Sequence, residues 1–295
     1  MRDLFQQMII DGAKENTIKR YKFSLKAFQK YVSNNLESLS DAEIYNGLQL
    51  LMQSSYSKRT KEDIKMAVKR YYSFYGRKLN INYSRQINDI NPSNLISQPA
   101  VDILLRTVET PRNRAIIQVL WDTGIRPTEL LTMRISSINF TIPSIIVNGK
   151  TGPRHIPIQQ LTSILISQYL YTNPKLAAGN DSFLWQTETK SNHPGVLSIF
   201  GLNKMLKQSA AAVGISRRVT AYLFRHSAIT RDAAFMPEQI LKQKYGWTRS
   251  SRMAEVYVHL TNKALFDYYN RHEQKEYTIV QLKKEIAEIK LLLSK

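Results

Sequence analysis

Two arginines and a tyrosine, Arg126, Arg225 and Tyr257, are spread over more than a hundred residues in settings that suit one phosphate-handling site assembled by folding. The first lies in Thr123-Gly-Ile-Arg126-Pro127-Thr-Glu129-Leu-Leu131. The second lies in Tyr222-Leu-Phe-Arg225-His226-Ser, and the tyrosine in Glu255-Val-Tyr257-Val-His-Leu260. A guanidinium is planar and permanently charged, so it grips two non-bridging oxygens of a phosphodiester at once. A phenol is a poor nucleophile at its free pKa of about 10, and neighbouring positive charge favours the phenolate that attacks phosphorus. Together the three residues point to ester exchange at a phosphate.

Local sequence indicates how each is held. Gly124 permits a tight turn, Pro127 suits the first turn of a helix, and Glu129-Leu130-Leu131 continue it. Arg126 then sits at the helix start, with Glu129 three residues on and able to orient its guanidinium. Between Ser144 and Ile158, apolar runs flank a Gly-rich turn, the pattern of a β-hairpin with Lys150 at its tip. Lys150 is either a solvated turn lysine or a general acid whose pKa other cations lower. Arg154 is close enough in sequence to share phosphate work. Tyr222 can donate a hydrogen bond to a phosphate oxygen but carries no positive charge, and beside Leu223 and Phe224 it suits a core as well. Trp247, in Lys244-Tyr-Gly246-Trp247-Thr-Arg249, has an indole N–H that only donates; packing and hydrogen bonding are compatible for such a ring.

In this order the segments Thr123–Leu131, Asn148–Ile158 and Thr220–Leu260 resemble the boxes of tyrosine site-specific recombinases, the lambda-integrase-like and Xer-like family. The resemblance implies roles. Tyr257 attacks the scissile phosphate, giving a 3′-phosphotyrosyl link and a free 5′ hydroxyl. Arg126 and Arg225 stabilise charge on the non-bridging oxygens, and Lys150 protonates the leaving 5′ oxygen. The family carries His or Trp where Trp247 stands, with the nucleophile following it, which selects Tyr257 from sixteen tyrosines. The chain departs from the common His-x-x-Arg-His box by placing Tyr222 first, similar to a variant among archaeal and archaeal-virus integrases. Glu129 and His226 are supporting residues, and His226 is expected to pack or to support its neighbours rather than to react. One ester replaces another, so no ATP or other cofactor is implied. Nor is a metal: the five histidines show no His-x₃-His spacing, cysteine is absent, and no acidic pair is set for two-metal chemistry.

Composition suits the same partner, double-stranded DNA. Forty-two Lys and Arg against twenty-three Asp and Glu give a net charge of +19. The excess falls on both halves, +7 over residues 1–92 and +11 over 93–275, as expected of two basic modules that clamp a duplex. Basic charge alone fits RNA or a membrane surface too. No signal-peptide pattern and no run of about 18 apolar residues appear, so a cytoplasmic, nucleoid-associated protein is expected.

The expected fold class is α+β: an all-helical core-binding domain at 1–88, a linker at 89–94, and a mainly helical catalytic domain with a small antiparallel sheet at 95–275. A C-terminal helix at 276–295 follows. In the first domain Asn16, Ser40 and Ser57 are candidate helix caps, with Ser40-x-x-Glu43 a capping box. Ile64, Val68, Tyr71 and Tyr75 form a stripe that suits a core. The stripe is bordered by Lys58, Arg59, Lys61, Lys65, Lys69 and Arg70, which are placed for DNA or for solvent. In the tail, Ile279, Leu282, Ile286, Ile289 and Leu293 step by three and four, an apolar seam for a neighbouring subunit or for its own domain. The resemblance implies a tetramer on two DNA sites and a monomer without DNA. The expected function is site-specific recombination or integration. Relaxation by a type IB topoisomerase and catalytically silent DNA binding on the same scaffold are the alternatives.

Overall fold

The computed structural model describes residues 3–84, 94–149, 151–177, 179, 181–187, 195–258 and 284, in two compact units, Met1–Asp89 and Ile90–Lys295. The expected linker at 89–94 (apart from Asn94), Lys150, and the tail at 276–295 (apart from Lys284) lie outside the described residues.

Helix-start chemistry sets out the first unit. Ser40 Oγ accepts the Glu43 N–H at 3.3 Å while the Glu43 carboxylate accepts the Ser40 N–H at 2.8 Å, and this capping box opens α3 (Asp41–Gln53). Ser57 Oγ accepts the Thr60 N–H at 3.1 Å and opens α4 (Lys58–Phe74). The Asn16 expectation is corrected. Here α1 (Leu4–Ile10) is followed by α2 (Glu15–Phe28), which begins after Lys14 with no side-chain cap, and Asn16 lies inside it. Glu15 in the first turn supplies the favourable charge instead, paired with Lys19 at 2.6 Å. Ile64, Val68 and Tyr71 are buried with Phe28, Ile44 and Leu51 in one apolar cluster, so that part of the stripe is core, whereas Tyr75 is 37% exposed. The basic border is divided. Lys61, Lys65 and Lys69 bond the Met52 carbonyl, Glu62 and the Ile81 carbonyl, whereas Lys58, Arg59 and Arg70 are exposed.

In the second unit, α5 (Gln98–Thr107), α8 (Gln160–Tyr171) and α11 (Ala221–Ala233) pack around α6 (Pro111–Thr123). Every residue of α6 from Ala115 to Thr123 is buried, as expected of a helix walled in on all sides. After α7 (Pro127–Leu131) come β1 (Ile138–Asn139), β2 (Ser144–Gly149) and β3 (Gly152–Pro157), antiparallel in that order. Ile145 and Val147 of β2 point inward, and Gly149 pairs with Gly152 across the hairpin end. The remaining helices are α9 (Pro174–Ala177), α10 (Ile199–Ala212), α12 (Glu238–Tyr245) and α13 (Met253–Val258). The class is α+β, as expected. No described helix is long and apolar enough to cross a membrane.

Candidate active site

Four short pieces of chain bring the site together: the start of α7, the β2–β3 hairpin, α11, and the passage from α12 to α13. Gly124, left-handed at φ +57°, ends α6 and turns the chain into Arg126. An added Cβ there would lie 2.7 Å from Tyr245 Cε1, so the turn and the close approach both require glycine. Arg126 precedes Pro127, and the Glu129 carboxylate reaches back to accept its backbone N–H at 2.8 Å. This is the carboxylate half of a capping box; an arginine side chain has no acceptor to complete it.

Glu129 is the hub. Its side chain is 1% exposed and accepts from Arg126 Nη1 at 2.8 Å and from Arg154 Nη1 and Nη2 at 3.0 and 2.8 Å. Burial alone would raise its pKa. Hydrogen bonds from Arg154 and from the Arg126 backbone outweigh that and hold the carboxyl at about 2. Arg154, adjacent in sequence to the expected phosphate-binding hairpin tip, is therefore committed elsewhere: both terminal nitrogens bond Glu129 and its side chain is 9% exposed. Those bonds place it beside Arg126 on the same carboxylate.

The end of α12 explains how three arginines converge. Gly246 is left-handed at φ +61°, its N–H donating to the Gln243 carbonyl and the Trp247 N–H to the Lys242 carbonyl. That closure leaves the next three carbonyls without helical donors. Each accepts from a different guanidinium: Lys244 O from Arg154 Nε at 2.9 Å, Tyr245 O from Arg225 Nη2 at 2.8 Å, and Gly246 O from Arg126 Nη2 at 3.2 Å. The negative end of a helix dipole thus gathers positive charge that would otherwise repel itself. Gly246→Ala is expected to lower stability by about 1–2 kcal/mol or more, because the left-handed backbone disfavours a side chain. In addition, the new Cβ would sit 2.8 Å from Arg154 Nη1. Thermal unfolding measures the loss.

Arg225 is 5% exposed and also donates from Nη1 to the Gly124 carbonyl at 2.8 Å. Burial lowers its pKa to about 10, helped by the Arg126 charge and opposed by Glu129, so it stays cationic at neutral pH. The Tyr245 ring lies under its guanidinium at 5.3 Å, and the Tyr245 hydroxyl donates to Asp232 at 2.7 Å. Asp232, 1% exposed, also accepts from Arg231 and Lys244. Tyr245 is thus a support for Arg225.

Tyr257, on α13, is 1% exposed. Its ring stacks on Trp247 at 5.9 Å and 22°, and on His226 at 6.0 Å and 23° on the other contact. Its hydroxyl lies 2.7 Å from His226 Nδ1. Burial pushes the phenol up to about 12 and the Arg225 charge pulls it down. Burial, then Arg225, lowers the His226 pKa, so the imidazole is neutral at pH 7. His226 thus supports the tyrosine through both a ring stack and a hydrogen bond.

Tyr222 is 52% exposed, so the core alternative does not describe it. Trp247 packs with Tyr257, Tyr245, Ile229 and Leu241. Near the start of α11, a groove of about 1180 Å³ runs along α10 to Thr220; Lys204, Lys207, Arg217 and Arg218 line it and no acidic residue does. Among the described residues no group of three or more His, Cys, Asp or Glu is arranged to hold a metal ion.

Comparison with known proteins gives a consistent result. The family model described as "Phage integrase family" matches residues 95–264. The tyrosine recombinase XerA of Pyrococcus horikoshii is 26% identical over 262 residues, covering 87% of this chain and 87% of the relative. The tyrosine recombinase XerD of Oceanobacillus iheyensis is 22% identical over 294 residues, covering 92% and 97%. Among solved structures, the Tn1549 transposon integrase in complex with transposon right end DNA superposes with a TM-score of 0.69 at 19% identity, covering 91% of this chain and 97% of that one. A lambda integrase tetramer bound to a Holliday junction gives 0.64 at 15% identity, covering 86% and 74%.

Proposed function

The chain belongs to the phage integrase family and is a tyrosine recombinase, and from that premise we propose how its residues divide the work of cutting and rejoining DNA. Tyr257 Oη attacks a scissile phosphate, forming the 3′-phosphotyrosyl ester as the bond to the 5′ oxygen breaks. Arg126 and Arg225 face the non-bridging oxygens, where the charge grows in the transition state. Lys150 gives its proton to the leaving 5′ oxygen. Tyr222, exposed at the start of α11, donates to a phosphate oxygen, and Trp247 backs the nucleophile while its indole N–H serves the same phosphate. Glu129 and Arg154 hold Arg126 in place. The reverse attack by a 5′ hydroxyl from a partner strand completes strand exchange without an external energy source.

One observation carries the reading: two arginines anchored to one helix end lie in the same unit as a tyrosine whose phenol feels the Arg225 charge. The acid-free groove beside α10 supports a duplex partner on the same side of α11 as Thr220. The helical first unit serves as the core-binding domain, with Lys58, Arg59 and Arg70 toward DNA. The domains divide at 1–88 and 95–275, and the tail at 276–295 bridges subunits of a tetramer working at the nucleoid.

A pool of nicked duplexes with random sequence around the nick tests the proposal. Molecules captured covalently by the full chain are recovered, sequenced and digested for mass spectrometry. The expected phosphotyrosyl peptide contains Tyr257; a phosphate on any other residue, or no captured DNA, overturns the assignment.

A further inference from the structure

The phenol proton poses a problem that the arginines do not solve. Tyr257 is buried and its hydroxyl holds its proton more tightly than a free tyrosine does, so at neutral pH the attacking atom is a neutral O–H. An arginine charge favours the phenolate but has no lone pair with which to remove the proton. Among the described residues, the hydrogen-bond partner of that hydroxyl is His226 Nδ1, at 2.7 Å and with the two rings 23° from parallel.

We infer that His226 is a catalytic base for the strand-cleavage reaction, taking the Tyr257 proton on Nδ1 as the Tyr257 Oη–phosphorus bond forms. The inference rests on the role given to Tyr257 above. With the imidazole's own proton on Nε2, the phenol donates to Nδ1. As Oη closes on phosphorus, that proton moves to Nδ1 and leaves an imidazolium. The phosphorus bond to the 5′ oxygen breaks, and that oxygen takes its proton from Lys150. In the rejoining step the flow reverses, with the imidazolium returning a proton to the departing phenolate and Lys150 accepting one from the attacking 5′ hydroxyl.

The surroundings of His226 suit a base at neutral pH. It lies on α11 next to Arg225, and from α13 it meets Tyr257. Arg126 at the start of α7, Arg154 on β3 and Glu129 act in turn on Arg225. Burial first and the Arg225 charge second disfavour the imidazolium, so the ring is neutral and able to accept. The same Arg225 charge disfavours the cation once formed, which primes the proton for return in the second half of the reaction. Sequence position did not reveal this. His226 follows Arg225 by one residue and therefore projects about 100° further round the helix, toward α13 rather than toward the α12 carbonyls that hold Arg225.

The test uses the full chain and a nicked duplex obtained by covalent capture from the random pool, with single-turnover cleavage followed from pH 5 to 9. His226→Asn keeps an acceptor near the Nδ1 position but cannot take a proton; His226→Ala removes both. Both variants are checked for folding by thermal unfolding and for DNA affinity. Wild-type cleavage is expected to rise with pH up to a pKa below 6.5 and then level. His226→Asn is expected to cleave about 10²–10³-fold more slowly at pH 7, with a rate that keeps climbing through pH 8–9. Replacing Tyr257 by a fluorotyrosine of lower phenol pKa in the His226→Asn background is expected to recover most of the loss.

A His226→Asn rate equal to wild type, or a slow rate that keeps the wild-type pH profile and is not improved by fluorotyrosine, overturns the inference. Failure of the wild-type chain to capture any duplex through Tyr257 instead overturns the role of Tyr257 itself, so the two failures are distinguishable.

Discussion

Tyr257→Phe is expected to abolish the covalent protein–DNA adduct while leaving DNA affinity within about two-fold, because phosphate contacts by Lys and Arg dominate affinity. The variant removes one oxygen. That oxygen is the atom proposed to bond phosphorus, and among the described residues no other tyrosine has its setting. Tyr245, which shares its apolar cluster, is fully buried and spends its hydroxyl on Asp232 at 2.7 Å. The phenylalanine ring preserves the stack on Trp247 and His226, so folding is expected to change by only about 1 kcal/mol, the net worth of one hydrogen bond. Denaturing gels read the adduct, and filter binding or anisotropy reads the affinity. A residual adduct in Tyr257→Phe places the nucleophile elsewhere.

Glu129→Gln should have the second-largest effect, and on two properties at once. The carboxylate is buried and joins Arg126 to Arg154, so its loss leaves two guanidinium groups without their shared counter-charge. Breaking a buried ion pair from one side costs about 3–5 kcal/mol. Because the folded pKa, about 2, lies below the ordinary value of 4.5, the stabilisation is fully present above pH 4.5 and lost as pH falls toward 2. The stability gap between wild type and Glu129→Gln therefore closes in acid, which urea unfolding at several pH values measures. Cleavage is expected to fall by about 10²-fold or more, since Arg126 loses the partner that aims it. Near-normal cleavage would mean that the Gly246 carbonyl alone positions Arg126.

Much of the site was legible because its residues sit beside strong local signals. Gly124 and Pro127 mark the turn and helix around Arg126. The Ser40 and Ser57 caps and the β2–β3 hairpin were equally local. What stayed hidden depends on packing between distant pieces. The hairpin register, with Arg154 opposite Val147, does not reveal that Arg154 shares the Glu129 carboxylate with Arg126. The contact between His226 and Tyr257 depends on α11 meeting α13. Asn16 is not a cap because the helix already begins at Glu15, whose charge favours its first turn.

The α12 end has a consequence for how variants can be interpreted. Lys244, Tyr245 and Gly246 are consecutive, and the segment that follows them leads through Trp247 to the tyrosine helix. Three guanidinium groups and the nucleophile are thus hung from one mechanical handle. A substitution anywhere along Glu238–Gly246 that tilts or lengthens this helix moves all four together. Such variants, made far from any phosphate, should lose charge alignment and tyrosine placement in proportion, and kinetic dissection of them will not separate the two.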